Sequence, residues 1–140
     1  MSKTQSDKII LRGGYVQDEQ IAEVTINPGY LLKRTPAGVN ITDAGTNQVL
    51  VAVEMSDTGK SITDAYSVGD QTIIAAPQKG SQIQLKLAAG ATAIQVGDKL
   101  EASFDGTVTL VAGGFPLAGA LQAVDNSAGT EEVFINAEVL

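Results

Sequence analysis

The side chains that most often drive catalysis are absent from this sequence of 140 residues. It contains no His and no Cys. This removes the commonest general base, the Ser-His and Cys-His nucleophile pairs and the thiolate ligands of zinc. Carboxylates, Lys and Tyr are left as groups that could still do chemistry. We therefore predict that the protein is not an enzyme, and that it has no cofactor, no metal site and no small-molecule substrate.

One short motif, Gly59-Lys60-Ser61, matches the end of a phosphate-binding loop. The full motif needs a further Gly upstream, but the segment from Glu54 to Thr58 contains none. Two residues of that segment are acidic, and they would repel a phosphate group rather than bind it. The sequence therefore does not predict a phosphate site here.

Carboxylates in three other places could bind a metal or act in catalysis: Asp57 with Asp64, Glu131 with Glu132, and Asp125 within Asp125-Asn126-Ser127. Hard oxygen ligands of this kind suit Ca²⁺, but the alternating acids of a calcium loop are missing. No spacing among them directs two carboxylates at one reacting atom. Charged loops exposed to solvent are the simpler interpretation.

The stretch 96–102 resembles the opening hairpin of biotinyl and lipoyl carrier domains, which are also small β-barrels. Those domains present a modified Lys at a hairpin tip between acidic or Met neighbours. Here Lys99 follows Gly97-Asp98 at the start of a strand, and no Met-Lys-Met or Asp-Lys-Ala tip follows. A carrier domain is kept as an alternative, and the intact mass of the native protein would test it.

The charge distribution bears on the class of partner. The net charge is −7, and six acidic residues but no basic residue follow Lys99. Because nucleic-acid binding depends on clustered Lys and Arg, we predict no nucleic-acid partner. No apolar run approaches the ~20 residues of a membrane span, and the start MSKTQSDKII lacks the apolar stretch of a signal peptide. We predict no membrane partner and synthesis in a cytoplasm.

Composition and turn spacing predict an all-β fold. The chain is 44% hydrophobic but only 4% aromatic, and its 15 glycines separate short apolar runs. Ile83, Leu85 and Leu87 alternate with polar residues, as in a half-buried strand. We predict a single small β-barrel or β-sandwich of short strands with an extended N-terminal arm and at most one short helix, at 61–67. The predicted strands are 8–16, 22–26, 49–54, 71–75, 83–87, 99–103, 107–111, 118–124 and 133–139.

A local pattern recurs three times, as Ile26-Asn-Pro-Gly-Tyr30, Tyr66-Ser-Val-Gly-Asp70 and Ile94-Gln-Val-Gly-Asp98. In each copy an apolar residue leads through Pro or Val to a Gly, and a strand follows. The pattern predicts a tight turn in which Gly adopts a positive φ. A second glycine turn follows each copy, at Gly38, Gly80 and Gly106, so the copies indicate one barrel built from repeated hairpins.

Several of these motifs resemble the head decoration proteins of tailed bacteriophages. The segment 26–32 is similar to the family's I-x-P-G-[HY]-L-[VL], with Tyr30 where His is common. The segment 59–70, GKSITDAYSVGD, is similar to G-K-x-I-D-D-A-Y-x-x-G-D. Further on, 97–106 resembles G-D-x-L-[EV]-S-x-G-D-G, and 119–125 resembles G-V-A-L-E-A-V-D. The matches keep their order from about residue 21 to 139.

The resemblance implies a structural virion protein of the capsid, a cement protein that binds the outer capsid surface and bridges subunits of the major capsid protein. It also implies a homotrimer that is assembled onto the virion in the host cytoplasm. A virion-surface module that binds carbohydrate or the host surface is the alternative function. Tyr66, within the most specific motif, is predicted to be a buried core or interface aromatic, because the chain has so few aromatics.

We predict two parts, an N-terminal arm or edge strand over 1–16 and a barrel-like decoration domain over 17–140. Residues Lys8, Ile9, Ile10, Leu11 and Arg12 are the predicted contact with the capsid or a neighbouring subunit. An edge strand added to a neighbouring sheet gains main-chain hydrogen bonds with little demand on side chains. The alternative is an ordinary first strand within the same barrel.

Overall fold

A computed structural model describes residues 6–42 and 46–140, and over these residues the chain is built almost wholly of short strands. The all-β prediction is confirmed. A single turn of 3₁₀ helix lies at Ser56–Thr58. The strands are β1 Ile10–Arg12, β2 Tyr15–Ile21, β3 Leu32–Thr35, β4 Gly38–Ile41, β5 Val51–Ala52, β6 Gln71–Pro77, β7 Gln82–Leu87, β8 Lys99–Ala102, β9 Val108–Leu110, β10 Ala118–Ala120 and β11 Val133–Val139.

A closed barrel forms the body of the protein. Strands β7, β11, β10, β8 and β9 are neighbours in that order, and β9 pairs back onto β7 through Val108 and Leu87. Alternate residues point inward, so Leu85 of β7 and Ile135 of β11 are fully buried. Burial of each such aliphatic side chain contributes about 1.5–3 kcal/mol to the stability of the fold. The barrel therefore forms without a large aromatic core.

Two smaller sheets pack onto this barrel. One has the order β2-β6-β5, and the other is the hairpin β3-β4. In β6, Ile73 and Ala75 enter the barrel core, whereas Ile74 enters a second core that contains Tyr66 and Val39. The alternation of a strand thus joins the two cores through one element.

The three repeated turns have the conformation that the sequence predicts. Gly29, Gly69 and Gly97 have φ values of 93°, 90° and 91°. Each turn is closed by a backbone hydrogen bond from the residue after the Gly to the carbonyl three residues earlier. In two turns, the carboxylates of Asp70 and Asp98 also accept a bond from that earlier residue's N–H, at 2.8 Å in both. These are type II turns, in which φ is positive at the third position.

Two local predictions are wrong. No strand forms at 22–26, and the strand before it is Tyr15–Ile21. Residues beyond Ile21 bond to different parts of the chain: Ala22 to Asp70, Glu23 to Val39, and Ile26 to Tyr66. The helix predicted at 61–67 is also not formed. There the carboxylate of Asp64 accepts a hydrogen bond from the N–H of Ser61, which closes a turn rather than capping a helix.

The predicted strand list also lacks the hairpin β3-β4. Its strand β3 has Lys33 and Arg34 exposed and only Leu32 buried, so the hydrophobic pattern that marks a strand is too short to detect. Over residues 6–42 and 46–140, no helix is long and apolar enough to cross a membrane.

Candidate interaction surface

The predicted contact segment Lys8–Arg12 pairs with the barrel of its own chain. Strand β1 runs antiparallel to β7, with Ile10 opposite Ile83. Ile9 is fully buried in the barrel core. Lys8 and Arg12 are exposed, and the two residues between Ile9 and Arg12 are half-buried. The strand predicted at 8–16 is divided: β1 pairs with β7, and residues 15–16 begin β2, which pairs with β6. Residues 6–16 thus lie within the fold of their own chain, and residues 1–5 lie outside the described residues. Capsid contact by this segment stays a prediction, but the Ile9 side chain is buried and cannot take part in it.

Two buried polar side chains hold the segment in place. The Gln84 side-chain amide donates hydrogen bonds to the carbonyls of Ser6 and Lys8, at 2.9 and 2.8 Å. The Glu54 carboxylate accepts from the N–H of Ile9, at 3.3 and 3.4 Å to its two oxygens. Gln84 is 1% exposed and Glu54 is 8% exposed. Because buried polar groups need partners, the segment and these two side chains stabilise one another.

We expect Gln84→Leu to release the start of the chain. Leu matches Gln in size but donates no hydrogen bond, so the carbonyls of Ser6 and Lys8 lose their partner. The expected loss of stability is about 1–3 kcal/mol. Amide hydrogen exchange at residues 8–10 should become faster. The control is Gln82→Leu on the same strand, where the side chain is half-buried. Unchanged exchange at residues 8–10 in Gln84→Leu would show that the amide does not hold the segment.

A second polar cluster fastens the first repeated turn to the barrel wall. The Tyr30 hydroxyl donates to the Glu132 carboxylate at 2.7 Å, and the Asn27 amide donates to that hydroxyl at 3.0 Å. Beside them, the Lys86 ammonium lies 4.0 Å from the ring centroid of Phe134. Burial, with a smaller contribution from Glu132, raises the pKa of Tyr30 to about 12. The cluster joins the turn to strands β7 and β11.

Alkaline pH should destabilise the protein through its buried tyrosines. Burial raises the pKa of both Tyr30 and Tyr66 from 10.0 to about 12. The unfolded chain therefore loses these protons first, and stability is full below pH 10 and falls as the pH rises from 10 to 12. Urea unfolding at pH 8, 10 and 11 measures the decline. In Tyr30→Phe the decline should be shallower, and equal slopes in the two proteins would contradict the contribution of Tyr30.

The candidate catalytic carboxylates Asp57 and Asp64 do not line a common cleft. Asp57 lines a cleft beside β2, whereas Asp64 lines a second cleft together with Lys60. Asp125 accepts hydrogen bonds from the N–H and hydroxyl of Ser127, which lower the pKa of Asp125. In the described part of the chain, no three acidic residues are placed to hold a metal ion. The absence of enzyme activity and of a cofactor remains a prediction.

Lys99, the residue considered for a carrier domain, lies in the barrel wall. Its strand β8 is bonded on both sides, with Gly119 opposite Lys99 on β10 and the N–H of Val111 bonded to the Lys99 carbonyl. Carrier domains present their Lys at a hairpin tip. The position of Lys99 therefore does not favour the carrier alternative.

Strand β2 is the most exposed strand among the described residues. All seven of its residues pair with β6, in unbroken register from Tyr15 opposite Pro77 to Ile21 opposite Gln71. The bonds that flank this ladder join Gly14 to Gln78 and Ala22 to Asp70. Bonded and non-bonded pairs alternate in an antiparallel ladder, so the even-numbered residues of β2 bond to β6. The odd-numbered residues direct N–H and C=O away from it.

Among residues 6–42 and 46–140, no strand pairs with the outer edge of β2 at its first positions, Tyr15 and Gln17, whereas β4 meets the far end of that edge through the bridge of Val39 to Ala22. Both faces of the strand are also open, since Val16 is 67% exposed and Tyr15 and Ile21 are each 43% exposed. The Asp18 carboxylate bonds to Arg34 of β3 at 2.9 Å and to Gln20, and these bonds lower the pKa of Asp18 to about 2. The edge is a place where another chain could add a strand.

Exposed aromatic side chains lie at two further places. Phe104, in the loop from β8 to β9, is 80% exposed, and Phe115, in the loop from β9 to β10, is 52% exposed. Phe115 borders a cleft of about 270 Å³ that the C-terminal Leu140 also lines. Exposed aromatics are typical of interaction surfaces. The sequence did not distinguish these two from core residues, because their neighbours follow no clear period.

Comparison with solved structures identifies a protein of the same architecture. The crystal structure of the head fiber gp8.5 N base of bacteriophage phi29 matches with a TM-score of 0.60 over 91% of this chain and 95% of that chain. The two chains share a fold. Their sequences are 16% identical, so the comparison concerns the fold alone. No protein-family model matches the sequence, and no curated protein matches it.

The shared fold agrees with the resemblance in the sequence motifs. The motif resemblance points to phage head decoration proteins, and the solved neighbour is a head protein of a phage. The motif resemblance rests on short segments in order from about residue 21 to 139, whereas the structural match rests on the path of the backbone.

The β2 edge is the part of the surface that sequence reasoning missed. The run Tyr15–Ile21 has polar residues on both faces, with Asp18 and Glu19 adjacent. Such a run lacks the alternation that marks a half-buried strand. The only available signal was the combination of polar residues with Tyr, Val and Ile and without Gly or Pro, which suits a strand open on both faces.

Proposed function

We propose that this chain is a structural protein of a phage virion that binds the outer surface of the capsid. In this proposal it acts as a homotrimer and bridges subunits of the major capsid protein. The observation that carries the proposal is the fold shared with the phi29 head fiber base over nearly the full length of both chains. The ordered decoration-protein motifs support the same assignment.

The physical properties of the chain suit a clamp on a shell. A closed barrel has few free strand edges, and here two buried cores join it to the smaller sheets. A rigid body of this kind loses little conformational freedom when it binds. Many such contacts on one lattice also gain affinity by multivalency. A weak contact per subunit is then enough to cover the shell.

Co-sedimentation with purified shells of the phage that encodes the protein tests the proposal. We expect the protein to sediment with the shells up to a saturating ratio, and to raise the temperature at which filled shells release DNA. An unrelated small β-barrel protein of similar net charge is the control for non-specific adsorption. Failure to sediment at saturating concentration would contradict capsid binding. Sedimentation velocity of the free protein tests the homotrimer separately.

A further inference from the structure

The outer edge of β2 lacks several of the usual protections against strand pairing at Tyr15 and Gln17. Edge strands are usually kept apart by Lys or Pro, by a bulge, or by being short. Strand β2 has seven residues, contains neither Lys nor Pro, and pairs with β6 without a register shift. Tyr15 and Gln17 direct their backbone N–H and C=O outward, whereas the N–H of Glu19 bonds to the Asp18 carboxylate. An added strand would find free backbone groups at the first two positions.

A second copy of β2 fits this edge poorly. A symmetric antiparallel pair with full overlap is centred on residue 18 and sets Asp18 opposite Asp18. Even-numbered residues would form the non-bonded pairs, in which side chains approach most closely. Glu19 lies beside this centre in both strands. Like charges directly opposite destabilise a pair, so the charges of β2 favour a different strand.

A cleft beside the strand indicates the chemistry of that partner. The cleft has a volume of about 140 Å³ and is lined by Tyr15 and Gln17 from β2, by Glu54, which lies just after β5, and by Asp57 of the 3₁₀ turn. Lys8 is the basic residue among its lining residues. Glu19 projects from the same face of β2 as Tyr15 and Gln17. Two carboxylates in the cleft and Glu19 on the same face of β2 outnumber the one ammonium group of Lys8, and this balance of charge favours a partner that carries Lys or Arg.

We propose that the outer edge of β2 accepts an extended, basic segment of the capsid protein as an additional strand. Backbone groups of residues 15 and 17 would bond to the segment, and a Lys or Arg of the segment would enter the acidic cleft. Main-chain bonds give affinity in this mode, and the cleft gives specificity. The inference rests on the proposed function, since it names the part of the surface that meets the shell.

Gln17→Pro tests the added strand directly. Proline removes the outward N–H of residue 17, and that N–H takes no part in the bonds to β6. The matched control is Gln17→Ala, which keeps the N–H. Binding to purified shells should weaken at least 10-fold in Gln17→Pro and by a smaller factor in Gln17→Ala, which removes only the side chain that lines the cleft. Circular dichroism and the melting temperature show whether each variant is folded.

Glu19→Arg tests the charge of the partner and keeps the inference testable if the proline variant does not fold. The Glu19 side chain is exposed, so the substitution reverses its charge without disturbing the core. We expect shell binding to weaken several-fold at low salt, with a smaller difference at high salt. Equal shell binding by Glu19→Arg and the unmodified protein at low salt would overturn the choice of a basic partner.

The outcomes separate this inference from the proposed function. If folded Gln17→Pro binds shells as the unmodified protein does, the β2 edge is not the contact, but capsid binding stands. If Gln17→Pro changes the oligomeric state of the free protein, the occupant is a second copy and the inference is wrong. If the unmodified protein does not bind shells, the proposed function and the inference fail together.

Discussion

Gly38→Ala is expected to destabilise the protein by about 3 kcal/mol or more, the largest effect that we expect from Ala at any of the described glycines. Gly38 opens β4 with φ = 150°, a conformation that residues with a Cβ rarely adopt. A Cβ at this position would also overlap the backbone carbonyl of Ile21 at the end of β2. A backbone group cannot rotate away as a side-chain end can. The hairpin β3-β4 must then move off β2.

The physical cause lies in how the hairpin is docked. Beyond Ile21, Ala22 forms a parallel bridge with Val39, and the N–H of Glu23 bonds to the Val39 carbonyl at 3.0 Å. Val39 is fully buried in the second core. Displacing the start of β4 therefore strains this bridge and opens the core around Val39. The strain in the bridge and the opening of the core are coupled, because both involve the short strand β4.

Gly69→Ala is the matched control for this prediction. Gly69 also has a positive φ, 90°, but a Cβ there has no atom within 4 Å. Its cost should be about 1–2 kcal/mol, from the left-handed backbone alone. Urea unfolding of the two variants and the unmodified protein measures the difference. If both variants lose the same stability, the contact with Ile21 contributes nothing.

The sequence predicted the architecture because the architecture depends on local signals. Type II turns need Gly at one position, and the repeated pattern at Gly29, Gly69 and Gly97 shows that requirement directly. Alternation in Ile83–Leu87 identified β7, the barrel strand that pairs with β1, β9 and β11. Such signals are contained within five to seven residues.

The order of the strands was beyond the sequence, because it depends on contacts between distant residues. The parallel pair of Leu87 with Val108 closes the barrel, but nothing in the sequence near either residue indicates its partner. The burial of Ile9 depends in the same way on Gln84 and Glu54, far along the chain. An apolar residue that follows a polar N-terminal segment is equally consistent with an extended arm and with a strand that contributes to the core. The interaction surface was predicted least well for this reason.

Tyr66 illustrates a role that neither residue type nor spacing could predict. The predicted burial is confirmed, since Tyr66 is 5% exposed in the second core. Its hydroxyl lies between β6 and the residue that follows β5. It donates to the Val53 carbonyl at 2.5 Å and accepts from the N–H of Ile73 at 3.4 Å. The N–H of Val53 meanwhile bonds directly to the Ile73 carbonyl at 2.9 Å. The hydroxyl thus replaces one ladder bond where the strands separate.

We therefore expect Tyr66→Phe to cost about 2–4 kcal/mol, although it removes a single oxygen atom. The ring still fills its site, but the Val53 carbonyl and the Ile73 N–H are left buried without a partner. Each such group costs about 1–3 kcal/mol. Tyr66→Ala should cost more, about 3–5 kcal/mol, because a cavity is added. Urea unfolding at pH 7, where the hydroxyl is protonated, measures both.

Tyr15→Phe is the control for the loss of a tyrosine hydroxyl. Tyr15 is 43% exposed, so its substitution should change stability by less than about 0.5 kcal/mol. A cost for Tyr66→Phe as small as this would mean that β5 and β6 close the gap and bond directly. Hydrogen exchange at the Ile73 amide separates the two cases. Exchange becomes faster if the hydroxyl is part of the ladder, and it stays slow if the strands close, because a direct bond then protects the amide.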